Sequence, residues 1–362
     1  MQITKILARA INIPRQSRLT TSYGSIDSAI TILIEINTDD GVTGYGQASV
    51  DAPFYGETGE GMLVNIRKHL APALIGQNPF DIKHLNHLMH MALPHHWFSF
   101  SGVDMALWDL KGKALGTPIY QLMGGKVRDG LTLMGFVHHG EPAEMAASAT
   151  EQLDRFGYSV LKMKIGLDPK EDVARYRAVA NAVGDRAVIQ VDGNTGYTLH
   201  QAVPALTAME QIGALGAIEQ PVARLEDLAE LARRLATPIM ADEAIYGPED
   251  AIDVVRRKAA SIALMKMNKH GGLTNVHQIG QIFEAAGLSL SVAIYYDLIG
   301  VAAAHLAAAL PCVTWPSPAT AMPDTIVATR FQPDGLQLRA PDGPGLGVEL
   351  DWDKVEKYTV EL

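Results

Sequence analysis

The chain has 362 residues, a formal net charge of −10, 48% hydrophobic residues and a single cysteine, Cys312. Such length and apolar content allow a sizeable core and exclude wholesale disorder. The acidic balance argues against a nucleic-acid or anionic-membrane surface as partner, and one cysteine excludes an intrachain disulfide and suits a reducing compartment.

The opening text, "MQITKILARAINIPRQS", has no basic stretch followed by a long apolar run, and no later stretch is apolar long enough to span a bilayer. A cytoplasmic protein without a signal peptide is the expectation. "SAITILIEINTDDGVTGYGQA" then predicts two strands joined by an Asp-Asp-Gly turn. Helical text follows in "GEGMLVNIRKHLAPALIG", "PFDIKHLNHLMHMAL" and "SGVDMALWDLKGKALG", the last closing at Gly116 before Pro118. The glycine-rich "QLMGGKVRDG" reads as a boundary.

Beyond it, short apolar runs alternate with amphipathic helices. The runs are "LTLMGFV", "SVLKMKIG", "RAVIQVDGN", "GAIEQP", "TPIMADEA", "SIALMKMN", "LSLSVAI" and "CVTW". Eight strands with helices between most of them predict a (β/α)8 barrel of the TIM type, although the spacing by itself also fits a doubly wound sheet. The last part returns to short strands and turns. The expected division is a capping domain over 1–125, a barrel over 126–327 and a C-terminal segment over 328–362 that returns to the cap.

In such a barrel the chemistry lies at the carboxyl ends of the strands. The second run ends in Lys162 and Lys164, which share one face of a strand because side chains alternate. The third ends in Asp192, with Asn194 beyond; the fourth ends in Glu219, the fifth in Asp242 and Glu243, the sixth in Lys266, with Lys269 further along. Any one of these acids could cap the following helix. Three on consecutive strands would repel one another unless a cation neutralises them, and a hard divalent ion such as Mg²⁺ prefers oxygen ligands. Strands two and six face each other across an eight-stranded barrel. Lys162 and Lys164 would approach a ligand from one side and Lys266 from the other. A carboxylate substrate on the metal would have an acidified α-proton for a lysine to remove.

These residues resemble the enolase superfamily, in its muconate lactonizing enzyme subgroup. The likeness rests on the K-x-K at Lys162 and Lys164, on Asp192, Glu219 and Asp242, and on "KMNKHGG" with Lys266. It covers nearly the whole chain, with "DDGVTGYGQA" like the family's first hairpin and "SGVDMALWDLKGKALGTPIYQLMGG" like its last cap helix and linker. It implies Mg²⁺, or Mn²⁺ in its place, held by Asp192, Glu219 and Asp242. It implies Lys164 as base on one face, Lys266 as acid or base on the other, and Lys162 as a helper. The seventh strand lacks the histidine that marks the mandelate racemase subgroup. Assembly as an octamer or dimer is also implied.

Three departures stand out. Gln47 follows Gly46 where the family hairpin has glutamate. Tyr296, with Asp297 beside it, stands where many relatives carry glutamate after the seventh strand. "WPSPATAMPDTIV" has no D-x-D after the eighth, which argues against a dipeptide substrate. Cap loops give specificity in this family, so Tyr23, Phe54 and Tyr55 are candidate substrate contacts, with His138 and His139 at the end of the first barrel strand and Asn194, Tyr296 and Asp297 after the third and seventh. The expectation is a metal-dependent isomerase, either a racemase or epimerase or a muconate-type cycloisomerase, acting on a small carboxylate. A dehydratase on the same site, a Schiff-base lysine aldolase and a non-catalytic carboxylate-binding protein are the alternatives.

Overall fold

The computed structural model of the protein describes residues 1–21, 24–318, 324–328 and 331–362. Strands β1 (Ile3–Thr21), β2 (Gly24–Thr38) and β3 (Thr43–Ser49) form an antiparallel sheet. The turn between β2 and β3 contains Gly41 at φ 85, a conformation open to glycine at no steric cost. The predicted hairpin is therefore present.

The two faces of β3 have opposite tasks. Gly44, Gly46 and Ala48 face the helix Trp97–Leu115; a Cβ on Gly46 would lie 2.0 Å from the carbonyl oxygen of Gly102 and 2.6 Å from the backbone nitrogen of Ala106. Helix and strand meet backbone to backbone there. Gly46→Ala should cost about 3 kcal/mol through overpacking, seen as a lower urea midpoint with an unchanged m-value. Gln47 and Ser49 alternate with these small residues and lie on the other face, fully buried.

Eight parallel strands follow: β4 (Gly130–Phe136), β5 (Val160–Lys164), β6 (Val188–Asp192), β7 (Leu215–Glu219), β8 (Ile239–Ala241), β9 (Ile262–Met265), β10 (Ser289–Val292) and β11 (Ser317–Pro318). Their order is β10-β9-β8-β7-β6-β5-β4-β11. Val313 also bridges Leu290 of β10 in parallel, so the segment leading into β11 joins both ends of the sheet and closes the ring. This is the barrel, not the doubly wound sheet. The eighth strand differs from expectation in place: its ladder lies at Ser317–Pro318, and "CVTW" contributes a single bridge.

The C-terminal segment divides its contacts. Strand β12 (Gln337–Arg339) pairs antiparallel with β4 of the barrel, whereas β13 (Thr359–Val360) pairs with β1 of the cap. One apolar cluster packs the outer faces of the barrel strands against their helices, and a second lies between the cap sheet and its helices. A small third one, with Ala217, Met240 and Leu264, lies in phase with the inward-facing Glu219, Asp242 and Lys266. Among the described residues no helix is long and apolar enough to cross a membrane.

Candidate active site

Four lysines and four carboxylates converge at the carboxyl ends of β5 to β9. Lys162 of β5 bonds Asp192 Oδ2 of β6 at 2.8 Å and Glu219 Oε2 of β7 at 2.6 Å. It reaches past the adjacent strand, which is possible only through the barrel interior. Lys164 bonds the same Asp192 Oδ2 at 2.6 Å and donates to Asn194 Oδ1. Across the ring, Lys266 contacts Asp242 Oδ2 and donates to Tyr55 Oη at 2.7 Å. Lys269 bonds Asp242 Oδ1 at 2.7 Å and also donates to the Asp242 carbonyl. Strands β5 and β9 lie on opposite sides of the eight-membered order, so the two lysine pairs oppose each other.

Each pair has an open and a sealed member. The side chains of Lys164 and Lys266 are 18% and 13% exposed, those of Lys162 and Lys269 6% and 0%. A ligand entering the barrel mouth meets the ammonium groups of Lys164 and Lys266.

The alternative of three helix caps is overturned. The caps after β6, β7 and β8 are Thr198, Arg224 and Gly247, and none of Asp192, Glu219 and Asp242 has that place. The acids are instead held by what surrounds them. Asp192 Oδ1 accepts from the backbone N–H of Asn194 at 3.0 Å. Gln220, itself buried, accepts through Oε1 from the backbone N–H groups of Asp242 at 2.8 Å and Ala244 at 3.2 Å. Gln190 of β6 donates to Glu219 and accepts from Trp315, bracing the interior from wall to wall. Asn194, Thr195 and Gln220 all have positive φ, strain that clusters at the strand ends bearing the acids.

The electrostatics follow from the pairing. Burial disfavours the charge on Asp192 and Asp242, yet two lysines on each carboxylate hold both below the usual range. Glu219 contacts one lysine only; burial, and Asp192 nearby, push it up to about 8. Lys162 and Lys266 are buried, but their acids hold them above the usual lysine range. Burial outweighs Asp242 at Lys269 and lowers it.

Among the described residues, no three His, Cys, Asp or Glu side chains stand as a metal-holding group, and ammonium nitrogens lie against oxygens of Asp192, Glu219 and Asp242. Two oxygens are left over. Glu219 Oε1 and Glu243 Oε2 are buried without a hydrogen-bond partner, and a cation bound there would satisfy them. The donor set Asp192, Glu219 and Asp242 is all oxygen and fits Mg²⁺.

The other predicted contacts scatter. Asn194 is in the cluster and donates to Glu243 Oε1 at 3.0 Å. Tyr55 is also there, with its ring stacked on Phe98 and edge-on to Tyr246. Tyr296 is buried before the helix Asp297–Ala309. The carboxylate of Asp297 is turned to Gln47, Thr325 and the backbone N–H of Ile326, away from the lysines. His138 is exposed, with its backbone N–H on Ser148, and His139 is exposed beside it. Tyr23 lies outside the described residues, as does the side chain of Phe54. Lys269 and Gln190 have no role in the sequence reading, yet both are buried in the cluster. The signal was present: a glutamine inside the apolar "VIQV", and a second lysine three residues after Lys266.

Likeness to known proteins extends over nearly the whole chain. The family model Mandelate racemase / muconate lactonizing enzyme, N-terminal domain, matches residues 3–124, and Enolase C-terminal domain-like matches 144–354. The N-succinyl-L-Arg/Lys racemase of Bacillus cereus is 30% identical, over 99% of this chain and 98% of its own. Its crystal structure superposes with a TM-score of 0.94, at 29% identity over 100% of this chain and 99% of that one. Muconate cycloisomerase 1-1 of Acinetobacter lwoffii is 32% identical over 96% of this chain and 92% of its own. A dipeptide epimerase from Enterococcus faecalis, complexed with Mg and the dipeptide L-Leu-L-Tyr, has a TM-score of 0.90 at 30% identity, covering 96% of this chain and 100% of that one.

Proposed function

Because the chain belongs to the mandelate racemase/muconate lactonizing enzyme family of the enolase superfamily and is an enzyme of that family, we propose that it moves the proton α to a small substrate's carboxylate, as an isomerase of the racemase or epimerase type. The observation that carries this reading is the pair of open lysines, Lys164 and Lys266, set on opposite sides of the barrel mouth. A 1,1-proton transfer needs one group to take the proton from one face and another to return it to the opposite face.

Asp192, Glu219 and Asp242 are the residues to hold Mg²⁺. When bound, that ion supplies Lewis-acid polarisation of the substrate carboxylate and acidifies the α-proton. In one direction Lys164 in its uncharged form takes the proton, and the Lys266 ammonium delivers one to the opposite face. In the other direction the roles exchange. Lys162, sealed beneath Lys164 and sharing Asp192 Oδ2 with it, keeps a positive charge beside the reacting centre. Lys269 does the same beneath Lys266.

Tyr55 bonds Lys266 from the cap, and its ring with those of Phe98 and Tyr246 gives that side an apolar wall. Cycloisomerisation or elimination of water needs only one of the lysines, and these are the alternative outcomes on the same site. The test is NMR of wild-type enzyme with Mg²⁺ in D₂O over N-succinyl and other N-acyl amino acids, cyclic amino acids, muconates and hydroxy acids. Deuterium entering the α-position of both enantiomers of one compound is expected. Turnover without exchange into either recovered enantiomer would replace racemisation by a one-lysine reaction.

A further inference from the structure

The buried polar face of β3 reaches the barrel at two alternate positions, Gln47 and Ser49, and Asp51 just beyond the strand backs the second. Gln47 donates through Nε2 to Asp297 Oδ2 at 3.3 Å and accepts through Oε1 from the backbone N–H of Leu298 at 3.0 Å. Ser49 exchanges two hydrogen bonds with Asn268, its N–H to Asn268 Oδ1 at 3.3 Å and Asn268 Nδ2 to its Oγ at 2.6 Å. Asp51, two residues beyond Ser49 and half-buried, accepts from Ser49 Oγ at 2.6 Å and so holds that hydroxyl in place. Asn268 lies in the turn between Lys266 and helix Leu273–Ala285, one residue before Lys269. Asp297 and Leu298 follow the end of β10 and open the next helix.

We propose that Gln47, Ser49 and Asp51 form a strip of positioning residues on the cap that sets the turn bearing Lys266 and Lys269 and the segment after β10, so that the cap assembles the Lys266 half of the site. Among the described residues, the side-chain partners of Lys162 and Lys164 lie in the barrel and none belongs to the strip. Two observations support the strip. All of Gln47, Ser49 and Asn268 are fully buried, so each unmade bond would leave a polar group without water. Asp297 holds a left-handed backbone, φ 51, and is not glycine; such strain persists only where surrounding bonds impose it. Gln47, with Thr325 and Ile326, supplies those bonds.

The amide at position 47 is matched to Asp297. A carboxylate at 47 would face the Asp297 carboxylate with no cation between them. Restoring an amide at 297 would reverse the donor and acceptor and keep the pair.

The experiment compares wild type, Ser49→Ala, Gln47→Glu and the double variant Gln47→Glu/Asp297→Asn by amide hydrogen exchange. Opening of the 266–272 turn in Ser49→Ala, and of 292–300 in Gln47→Glu, should be about fivefold or more faster, the loss of one net hydrogen bond. Peptides over 160–166 should not change, and the double variant should return to within about twofold of wild type. Equal acceleration over 160–166, or no acceleration in either segment, would overturn the strip.

Its consequence for the site rests on the function proposed above and has a separate readout. With an N-acyl amino acid pair in D₂O, Ser49→Ala should slow exchange at the face served by Lys266 and spare the face served by Lys164. Equal slowing of both faces means the strip is a stability device only. If wild type exchanges neither enantiomer, the proposed function fails, and hydrogen exchange still decides the strip.

Discussion

Lys164→Ala should lower α-proton exchange on one face of the substrate by about 10² to 10⁴, the range a positioned general base contributes, and Lys266→Ala should do the same on the other face. The faces are separable because the two ammonium groups stand on strands opposite each other in the ring. Exchange of each enantiomer in D₂O, followed by NMR, assigns a face to each lysine. Arginine at either position restores the charge and not the base, so Lys164→Arg should still lack exchange on its own face, with its fold intact. If either alanine variant exchanges both faces at the wild-type rate, that lysine is not the base.

Removing divalent metal should have a comparable effect. Chelation followed by dialysis is expected to take exchange to the background level, and added Mg²⁺ to restore it. Glu219 is the acid to probe, because one of its oxygens is buried without a partner and one lysine alone serves it. Glu219→Gln keeps the shape and removes the charge. It should weaken Mn²⁺ binding by tenfold or more, about 1.4 kcal/mol, measured by calorimetry without substrate. A Schiff-base lysine enzyme would ignore the chelator and be trapped by borohydride; either result would move the protein to that class.

The strand ends were legible because a barrel imposes a simple rule on its sequence. An apolar run that stops at a charged residue places that residue at the mouth, and Lys164, Asp192, Glu219 and Asp242 all follow it. The opposed lysines were legible for the same reason, from strand count alone. Lys269 was not, because it sits in a turn, where no period tells inside from outside. Tyr55 comes from a cap loop and meets Lys266 only through the fold. Asp297 read as a ligand contact because it follows a strand end; its left-handed backbone turns the carboxylate to Gln47. The eighth strand was misplaced because "CVTW" is the more apolar text, whereas its ladder forms beside Pro316 and Pro318, where proline weakens every strand signal. The departure at Gln47 was visible as a letter and acquires a meaning only with its partner.

The pairing of Val360 with Ala10, and of Ser317 with Leu133, sets an order on the birth of the molecule. As the chain leaves the ribosome, β4 emerges long before the strand that completes its ring, and β1 waits for nearly the whole chain before its outer edge is covered. Contacts so distant in sequence are slow to form, and the waiting edges are open to wrong partners. The nascent protein therefore spends its synthesis as an open sheet beside an unfinished cap, and a chaperone that shields strand edges would matter most just before the last residues appear.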